Sequence, residues 1–337
     1  MKTLFALLCC TLFAWGAALD LPEALTAVAT RTEVVNAQLT LDDAETSLDR
    51  TEADPLALRL ERAQAQQRSD LSAAQLRQAR YQAIADVAAA YTGLLEAQAQ
   101  RDLASAAREV RTQVVDITKI RVERGSATAL DLQEAQNDLQ DAEKNLRAAE
   151  QGVDLAKTNL EGLLGQEVDA VEPISEEVLA ALPSLETVLL NLRQNPQLVQ
   201  VGQGVELAEI GLDLLDPSYA SRAQLDNARL QLSQTEESAK EARRGLELQA
   251  RSLYNNARTA LQTYRNAAAA LESATERETL EQQRLDAGLI ADITFKQTQL
   301  ATFNAFIATL QAKHAYLNAL LELQASTMTP LEGLNDF

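Results

Sequence analysis

Apolar residues recur at alternating steps of three and four along the stretch from Arg124 to Leu164. The apolar positions are Leu132, Ala135, Leu139, Ala142, Leu146, Ala149, Val153, Ala156, Leu160 and Leu163. Polar and charged residues lie between them, and no proline interrupts the run. Such a narrow heptad stripe predicts a helix that packs against a neighbouring helix along its whole length. The alternating alanines indicate that this neighbour comes close, and Gly125 marks the tip of a long antiparallel helix hairpin.

A second long helix is predicted from about residue 56 to residue 122, because that stretch has no proline and only one glycine, Gly93. At 1.5 Å per residue this helix is on the order of 100 Å long. Landmarks of the first half of the chain then recur at offsets of 161 to 163 residues. Leu182-Pro183 repeats Leu21-Pro22, Asp216-Pro217 repeats Asp54-Pro55, Tyr254 repeats Tyr91, and Gly288 repeats Gly125. We therefore predict an all-α fold of tandem-duplicated long antiparallel helical hairpins of the coiled-coil type.

The repeat divides the chain into a first helical-hairpin repeat at residues 19–165 and a second at residues 184–337. Residues 166–183 between them are rich in acidic residues and are predicted to form a linker. The last helix carries two apolar stripes. One consists of Phe295, Ala305, Ala312, Tyr316, Ala319 and Leu323, and the other of Phe303, Phe306, Leu310, Leu317 and Leu321. Two stripes predict neighbours on both sides of this helix, as a wall of helices requires.

Residues 1–18 are typical of a secretory signal peptide. A lysine at position 2 precedes an apolar run over residues 4–15, and three small residues at 16–18 form a cleavage site before Leu19. The apolar run is too short to span a bilayer comfortably, which disfavours an uncleaved anchor. The sequence thus predicts an exported protein of the periplasm or the cell outer membrane.

Composition narrows the class of protein further. The 337 residues are 46% hydrophobic but only 4% aromatic, which suits long packed helices better than a globular α/β enzyme. The formal net charge is −19 and no basic patch is present, so nucleic acid is not a predicted partner. Cys9 and Cys10 both lie in the signal segment, and Leu8 stands where a lipoprotein site needs a small residue. The mature chain is therefore expected to have no disulfide and no lipid anchor.

At the predicted tip, a glycine is followed by an aspartate six residues on and an alanine ten residues on: Gly125, Asp131 and Ala135. With this signature, the helix end at residues 160–165 and the start at residues 21–25, the chain resembles the TolC family of outer-membrane efflux proteins. The second tip keeps Gly288 but has Thr294 where the aspartate is expected. The resemblance extends over nearly the whole mature chain, including the duplication.

The resemblance implies a homotrimer in which each chain contributes two hairpins to a periplasmic tunnel of the α-barrel type. It implies a passive conduit for exported small molecules or proteins, whose tips meet a periplasmic adaptor of the membrane-fusion class that serves an inner-membrane transporter. In the family, two strands interrupt each copy before the long helix. Around Asp54-Pro55 and Asp216-Pro217 we find no alternating run of the length that a barrel strand needs. We therefore expect the tunnel part without β-barrel strands.

The predicted tip and partner-binding residues belong to the two turns of the hairpins. They are Arg121, Arg124, Gly125, Asp131, Arg284, Asp286, Gly288 and Asp292. Their charges are interpreted either as solvated helix ends with capping carboxylates or as a ring of Arg–Asp pairs that holds a tunnel mouth shut. The family tends to place acidic residues six and nine after the second glycine, where this chain has Thr294 and Gln297. That difference weakens the gate hypothesis, whereas both glycines are predicted to end helices at positive φ.

The sequence predicts no enzyme, because it contains no phosphate-binding glycine loop, no nucleophile elbow and no metal-ligand cluster. The single histidine, His314, is predicted to pack in the helical seam, and no cofactor is implied. One alternative function is a non-channel periplasmic coiled-coil spacer or scaffold protein. A second is an adaptor of the membrane-fusion class, which would need a β-rich region that the sequence does not show. Oligomeric state separates duct from spacer, because only a duct needs a closed ring.

Overall fold

The computed structural model describes residues 18–175, 179, 181–216 and 218–331 of the chain. Eight α-helices account for most of this described part. They are α1 (Leu21–Thr26), α2 (Thr32–Ala53), α3 (Arg59–Glu123), α4 (Ala129–Leu164), α5 (Leu185–Asn191), α6 (Pro196–Asp213), α7 (Arg222–Asp286) and α8 (Asp292–Thr327). Short 3-10 turns follow α1 at Ala27–Thr30 and α5 at Leu192–Gln194. The all-α fold class is thus confirmed.

The two halves contain the same long helices at a constant spacing along the chain. Helices α3 and α7 both have 65 residues, and α4 and α8 both have 36. The bounds of each pair differ by 163 positions. At 1.5 Å per residue the two longer helices are about 98 Å long and the two returning helices about 54 Å. The predicted tandem duplication of helical hairpins is therefore also present in three dimensions.

Short polar signals explain where the smaller helices begin. The carboxylate of Asp20 accepts a hydrogen bond from a first-turn N–H of α1 at 2.7 Å. The side chain of Asn195 accepts one from a first-turn N–H of α6 at 2.9 Å. Pro22 and Pro196 stand in the same first turns, where an N–H would have no partner within the helix. These caps fix the starts of α1 and α6, whereas α2, which directly precedes the first long hairpin, begins after Arg31 without a side-chain cap.

The helices form a single layer with α3 in its interior. Helices α2 and α4 contact α3 on one side, and α6 and α8 contact it on the other. Helix α7 packs on α6 and α8 and makes no extensive contact with α3 within the described residues. The order across the layer is therefore α2 with α4, then α3, then α6 with α8, and then α7. Helices α4 and α7 are left as the two long edges, which we call the α4 edge and the α7 edge.

Position in the layer explains why two helices of equal length bury different numbers of residues. Helix α3 has neighbours on both sides and buries 18 residues, whereas α7 buries only Leu246, Ala250 and Ala257. Every predicted seam position of α4 is buried or half-buried. The same holds for the seam that heptad periodicity predicts on α7, which consists of Leu246, Ala250, Leu253, Ala257, Ala260, Tyr264, Ala267, Leu271 and Ala274. The heptad pattern thus located the contact face of both edge helices.

The heptad periodicity of α3 also predicts a seam whose last members are Val114, Ile117 and Arg121, but Ile117 and Arg121 are exposed, as is Phe306 in the second stripe of α8. Ile117 of α3 is 41% exposed, and Phe306 of α8 is 44% exposed. Ile117 lies near the tip, at the point where α3 continues past the start of α8. Helix α8 contacts α7 on one side and α3 on the other, as its two stripes predict. The second stripe is fully buried only at Leu317 and Leu321, in the C-terminal part of the helix.

The N-terminal segment and the linker meet on α3. Leu19 and Val171 form a parallel bridge, in which the N–H of Leu19 donates to Ala170 O and the N–H of Glu172 donates to Leu19 O, both at 2.9 Å. The buried hydroxyl of Tyr91 donates to the carbonyl oxygens of Leu19 at 2.8 Å and of Glu172 at 2.6 Å. Burial raises the pKa of the Tyr91 hydroxyl well above its ordinary value. Tyr91 thus fastens both segments to the central helix.

Parts of two sequence predictions lie outside the described residues. They are residues 1–17 of the predicted signal segment 1–18, and residues 176–178 and 180 of the acidic linker. In the described part of the linker, residues 166–175 are irregular apart from the bridge at Val171. None of the described helices combines the length with the apolar composition that crossing a membrane would require.

Candidate functional site

The first hairpin turns at Gly125 in a conformation that favours glycine. Gly125 has a φ of +71°. Its N–H donates to the carbonyl oxygen of Val122 at 2.9 Å, and the N–H of Ser126 donates to that of Arg121 at 2.8 Å. This pair of bonds is a Schellman motif, in which a left-handed residue satisfies the last carbonyls of a helix. The positive φ predicted for Gly125 is confirmed.

The second hairpin ends its long helix in the same way. Gly288 has a φ of +72°, and its N–H donates to Leu285 O at 2.8 Å. The N–H of Leu289 donates to Arg284 O at 2.8 Å. A Cβ added at Gly125 or at Gly288 would meet no atom within 4 Å. Both tips therefore require glycine for its backbone conformation and leave open space around it.

The two tips differ in how the returning helix is capped. Asp131 Oδ2 accepts a hydrogen bond from the N–H of Thr128 at 2.7 Å, and the N–H of Asp131 donates to Thr128 Oγ1 at 3.2 Å. These bonds, chiefly the one from the Thr128 backbone, hold the pKa of Asp131 below its ordinary value. At the start of α8, Ala291 has no side-chain cap, and Thr294 replaces the aspartate. Asp131 thus has a local capping role that the second tip does not reproduce.

The charged tip residues form local contacts. Arg284 Nη1 lies 2.7 Å from Glu281 Oε1, one turn earlier on the same helix. Asp286 Oδ1 accepts a hydrogen bond from Gln282 Nε2 at 2.9 Å. Within the described chain no ion pair joins a predicted tip arginine to a predicted tip aspartate, that is, Arg121, Arg124 or Arg284 to Asp131, Asp286 or Asp292. The structure brings these residues to one end of the molecule as two separate turns.

A cleft of about 310 Å³ lies between α3 and the start of α8, beside the second tip. It is lined by Gln113, Asp116, Ile117, Ala291, Asp292 and Ile293. Next to it, Lys296 Nζ of α8 forms an ion pair with Glu109 Oε1 of α3 at 2.9 Å, which joins the two hairpins. Beyond the cleft, α3 continues for about two turns, or about 12 Å, to Gly125. The first tip therefore protrudes past this cleft.

Sequence reasoning missed this cleft because it treated Ile117 as part of the buried seam. Ile117 and Ile120 are 41% and 48% exposed. Asp292, a predicted tip residue, is one of the residues that line the cleft. The signal that could have revealed the cleft is the position of the two isoleucines, close to the helix-ending Gly125. The tip end thus combines exposed apolar side chains with charge.

The only histidine joins the two hairpins away from the tips. His314 of α8 is 1% exposed, and its Nδ1 lies 2.8 Å from Glu96 Oε1 of α3. Its Nε2 is buried without a hydrogen-bond partner among the described residues. In the part of the chain that the structure describes, no three His, Cys, Asp or Glu side chains are grouped to hold a metal ion. His314 is thus a buried packing residue with one polar contact.

The two edges of the layer carry exposed leucines. On α7, Leu230, Leu248 and Leu280 are 56%, 64% and 60% exposed, and on α4 Leu155 is 73% exposed. Each follows a buried or half-buried seam residue by two positions. At about 100° per residue, these leucines lie on the face opposite the helix that their own chain packs there. Both edges thus present apolar side chains outward.

Comparison with known proteins finds one matching family model and several solved structures of similar fold. Residues 54–166 match the family model described as outer membrane efflux protein. The chain is similar to the CmeC outer membrane channel of Campylobacter jejuni, with a TM-score of 0.64 and 13% identity over 94% of this chain and 87% of that one. It is similar to CusC, with a TM-score of 0.68 and 13% identity over 92% and 95% of the two chains.

A third similar structure is the outer membrane protein VceC of Vibrio cholerae, with a TM-score of 0.64 and 15% identity over 91% of this chain and 96% of that one. None of the curated protein sequences matches the chain. The resemblance to outer membrane efflux proteins thus rests on sequence over residues 54–166 and on fold over nearly the whole chain.

Proposed function

We propose that this chain, which resembles the outer membrane efflux proteins in sequence and in fold, is one protomer of a TolC-like duct. In this proposal several copies enclose a passive conduit for exported small molecules or proteins. The observation that carries the proposal is the pair of edges, α4 and α7. Each of these long helices is packed by its own chain on one side only, and its other side carries exposed leucines that another copy can cover. The proposed protomer is exported to the periplasm or the outer membrane, as residues 1–18 predict.

The two edges differ from each other, and this difference favours a ring. An α7 edge in contact with the α4 edge of the next copy is a head-to-tail contact, and such contacts close into rings when the rotation between copies allows it. Burying a leucine side chain that is now mostly exposed contributes about 1.5–3 kcal/mol at most. Leu155 on one edge and Leu248 and Leu280 on the other therefore supply a substantial driving force for assembly. We propose a homotrimer.

Light scattering coupled to size-exclusion chromatography tests this assembly. The chain from Leu19 onward is expected at about three times the monomer mass. Leu248→Glu combined with Leu280→Glu should give monomers, because two carboxylates would be placed in a closed apolar contact. Leu289→Glu, at the second tip and 71% exposed, is the matched control that should leave the mass unchanged. A monomeric parent chain at micromolar concentration would exclude the ring and favour the spacer function.

The tips are proposed as the end that binds a periplasmic adaptor, which in turn serves an inner-membrane transporter. The support is the paired glycine turns, the open space around both glycines and the cleft of mixed apolar and acidic lining beside the second tip. Gly125→Val and Gly288→Val should give a folded, assembled protein that no longer crosslinks to its adaptor and no longer supports export. Gly125→Asn is the control, since asparagine tolerates positive φ better than valine. Unchanged export in the valine variants would assign the tips no role in binding.

A further inference from the structure

A cleft of about 350 Å³ lies where α8 ends and α6 begins, and we call it the junction cleft. Both of these helices pack between α3 and α7, which supply the other two walls. Asn195 fixes the junction, because its Nδ2 donates to Ser326 O at 2.8 Å while its Oδ1 accepts from the N–H of Gln197 at 2.9 Å. With Asn195 only 5% exposed, the two helix ends are held at a set distance.

Five glutamines dominate the wall of the junction cleft. They are Gln75 and Gln78 of α3, Gln197 and Gln200 of α6, and Gln249 of α7. Each carboxamide has two donor hydrogens and an acceptor oxygen. None of these five side chains forms a hydrogen bond to any residue that the structure describes. Three helices thus bring five unpaired carboxamides to one cleft.

The local sequence leaves these glutamines without partners on their own helices. Elsewhere a glutamine bonds a polar residue four positions on, as Gln66 bonds Asp70 and Gln82 bonds Asp86, both at 3.0 Å. In four of the five cases at the cleft, the residue four positions on is apolar or glycine. These residues are Ala79, Val201, Gly204 and Leu253, which follow Gln75, Gln197, Gln200 and Gln249. The hydrogen bonds of the cluster are therefore left for solvent or a ligand.

The carboxamide cluster is not a product of the duplication. The bounds of α3 and α7 differ by 163 positions, so Gln78 of α3 corresponds to Glu241 of α7. By the same offset, Gln249 of α7 corresponds to Asp86 of α3. Both equivalents are carboxylates, in keeping with the net charge of −19 of the whole chain. The neutral lining is thus specific to the junction cleft.

The chemistry of the wall selects a neutral ligand. No charged side chain lines the junction cleft. The start of α6 is not an anion site, because Pro196 has no N–H and the N–H of Gln197 is already bonded to Asn195. Leu71 is half-buried and Leu246 is 9% exposed, and both add apolar surface to the wall. The ligand that fits must donate, accept and present an apolar face at once.

We propose that the junction cleft binds a neutral saccharide of one or two sugar units. A sugar ring carries hydroxyls around its rim, which both donate and accept, and C–H groups on its faces. A volume of about 350 Å³ lies at the lower end of the range of small-molecule pockets. An extended peptide would need a groove open at both ends, whereas helix ends wall this cleft on two sides and long helices on the others. The inference goes beyond the proposed duct, because the cleft lies within one protomer and the exposed leucines of the edges do not line it.

Saturation-transfer NMR with the chain from Leu19 onward tests the proposal. The probes are cellobiose and diacetylchitobiose, which are neutral, and digalacturonate, which is acidic. Both neutral disaccharides should bind with dissociation constants in the millimolar range, and digalacturonate at least about tenfold more weakly. Gln78→Met with Gln249→Met keeps the side-chain length but removes two carboxamides, and should weaken binding about tenfold. Gln100→Met with Gln283→Met, on the exposed surface of the same two helices, is the matched control and should bind like the parent.

A thiol reporter locates the bound saccharide. The chain from Leu19 contains no cysteine, because Cys9 and Cys10 lie in the signal segment. Ser326→Cys therefore places a single thiol in the wall of the cleft. A saturating neutral disaccharide should slow alkylation of this thiol several-fold. Ser273→Cys, exposed on α7 and outside the cleft, should react at the same rate with and without the disaccharide.

Three results would overturn the proposal. One is the absence of saturation transfer to both neutral disaccharides at millimolar concentration. Another is a methionine double variant that binds them as well as the parent does. The third is protection of Ser326→Cys by a short neutral peptide and by neither disaccharide, which would assign the cleft to a polypeptide. None of these depends on the mass of the assembly, so the duct and the saccharide site can fail separately.

Discussion

Replacing Tyr91 by phenylalanine removes one buried hydroxyl and leaves the aromatic ring in place. In the native protein this hydroxyl donates to the carbonyl oxygens of Leu19 at 2.8 Å and Glu172 at 2.6 Å. Leu19 O also accepts a backbone N–H, whereas Glu172 O has no second partner among the described residues. Leaving a buried carbonyl without its donor costs about 1–3 kcal/mol. We expect Tyr91→Phe to lower the free energy of unfolding by that amount.

The duplicated chain supplies its own control for this measurement. Tyr254 occupies the equivalent position on α7, is half-buried, and its hydroxyl makes no hydrogen bond to the described residues. Tyr254→Phe should therefore change the free energy of unfolding by no more than about 0.5 kcal/mol. Urea unfolding followed by circular dichroism compares the two variants. Limited proteolysis should also cut the Tyr91→Phe variant faster in the linker, which the hydroxyl fastens.

The same residue predicts a dependence on alkaline pH. Burial raises the pKa of Tyr91 in the folded state, so the unfolded chain releases this proton first, near the ordinary value of 10. Stability is thus retained below about pH 10 and falls above it, by at most about 1.4 kcal/mol per pH unit for this group. Burial also raises the pKa of Tyr316, so Tyr91→Phe should reduce the slope without abolishing it. An unchanged slope, or a cost equal to that of Tyr254→Phe, would refute the reasoning.

Further predictions concern the tips and the contact between hairpins. Gly125→Ala should destabilise the end of α3 by about 1–2 kcal/mol, because alanine is strained at positive φ, and amide exchange measures this. Gly93→Ala, in the interior of α3, should raise the free energy of unfolding by about 0.5–1 kcal/mol in urea unfolding. Because the pKa of Asp131 is lowered, its cap is present above the ordinary value and lost as pH falls through the folded-state pKa. Asp131→Asn should abolish that acid-dependent fraying of α4 in NMR spectra. His314→Ala should cost about 2–4 kcal/mol in urea unfolding, and Glu96→Gln, which retains a polar partner, about 1 kcal/mol or less.

The parts of the fold that could be predicted from the sequence are those set by local periodicity. The seam of α4 depends only on which face of one helix is apolar, and all its predicted members are buried or half-buried. The positive φ of Gly125 and Gly288 follows from a glycine that stands where a long apolar pattern stops. Both signals lie within a few residues of the feature they determine, so no knowledge of tertiary contacts was needed.

The features that the sequence did not show depend on residues far apart along the chain. The hydroxyl of Tyr91 is hydrogen-bonded to residues 72 and 81 positions away, and His314 is hydrogen-bonded to Glu96, 218 positions away. A heptad pattern assigns such residues to a seam and does not identify their polar partners. Ile117 was misassigned for a related reason: the heptad pattern of α3 continues, but Ile117 lies level with the first residues of α8, beyond which this neighbour no longer covers α3. Burial there depends on relative helix lengths, which the pattern of one helix does not contain.

Departures from the repeat mark the places where the two halves have different surroundings. Gly165 ends α4 at a φ of +70° and donates its N–H to Glu161 O at 2.8 Å. At the equivalent position Met328 ends α8 at a φ of +57° and donates to Gln324 O at 2.8 Å. A left-handed residue other than glycine costs about 1–2 kcal/mol, but burying a methionine side chain contributes about 1.5–3 kcal/mol.

Met328 is 1% exposed, so its burial offsets the strain, whereas Gly165 is exposed and a side chain there would gain little. The equivalent position of the repeat thus lies inside the layer in the second copy, at Met328, and at the edge of the layer in the first copy, at Gly165. The two edges differ for a simpler reason: α4 is the returning helix of the first copy, whereas α7 is the long helix of the second copy, equivalent to α3. An α4 edge that meets an α7 edge forms a head-to-tail contact, and that is the type of contact from which a closed ring is built.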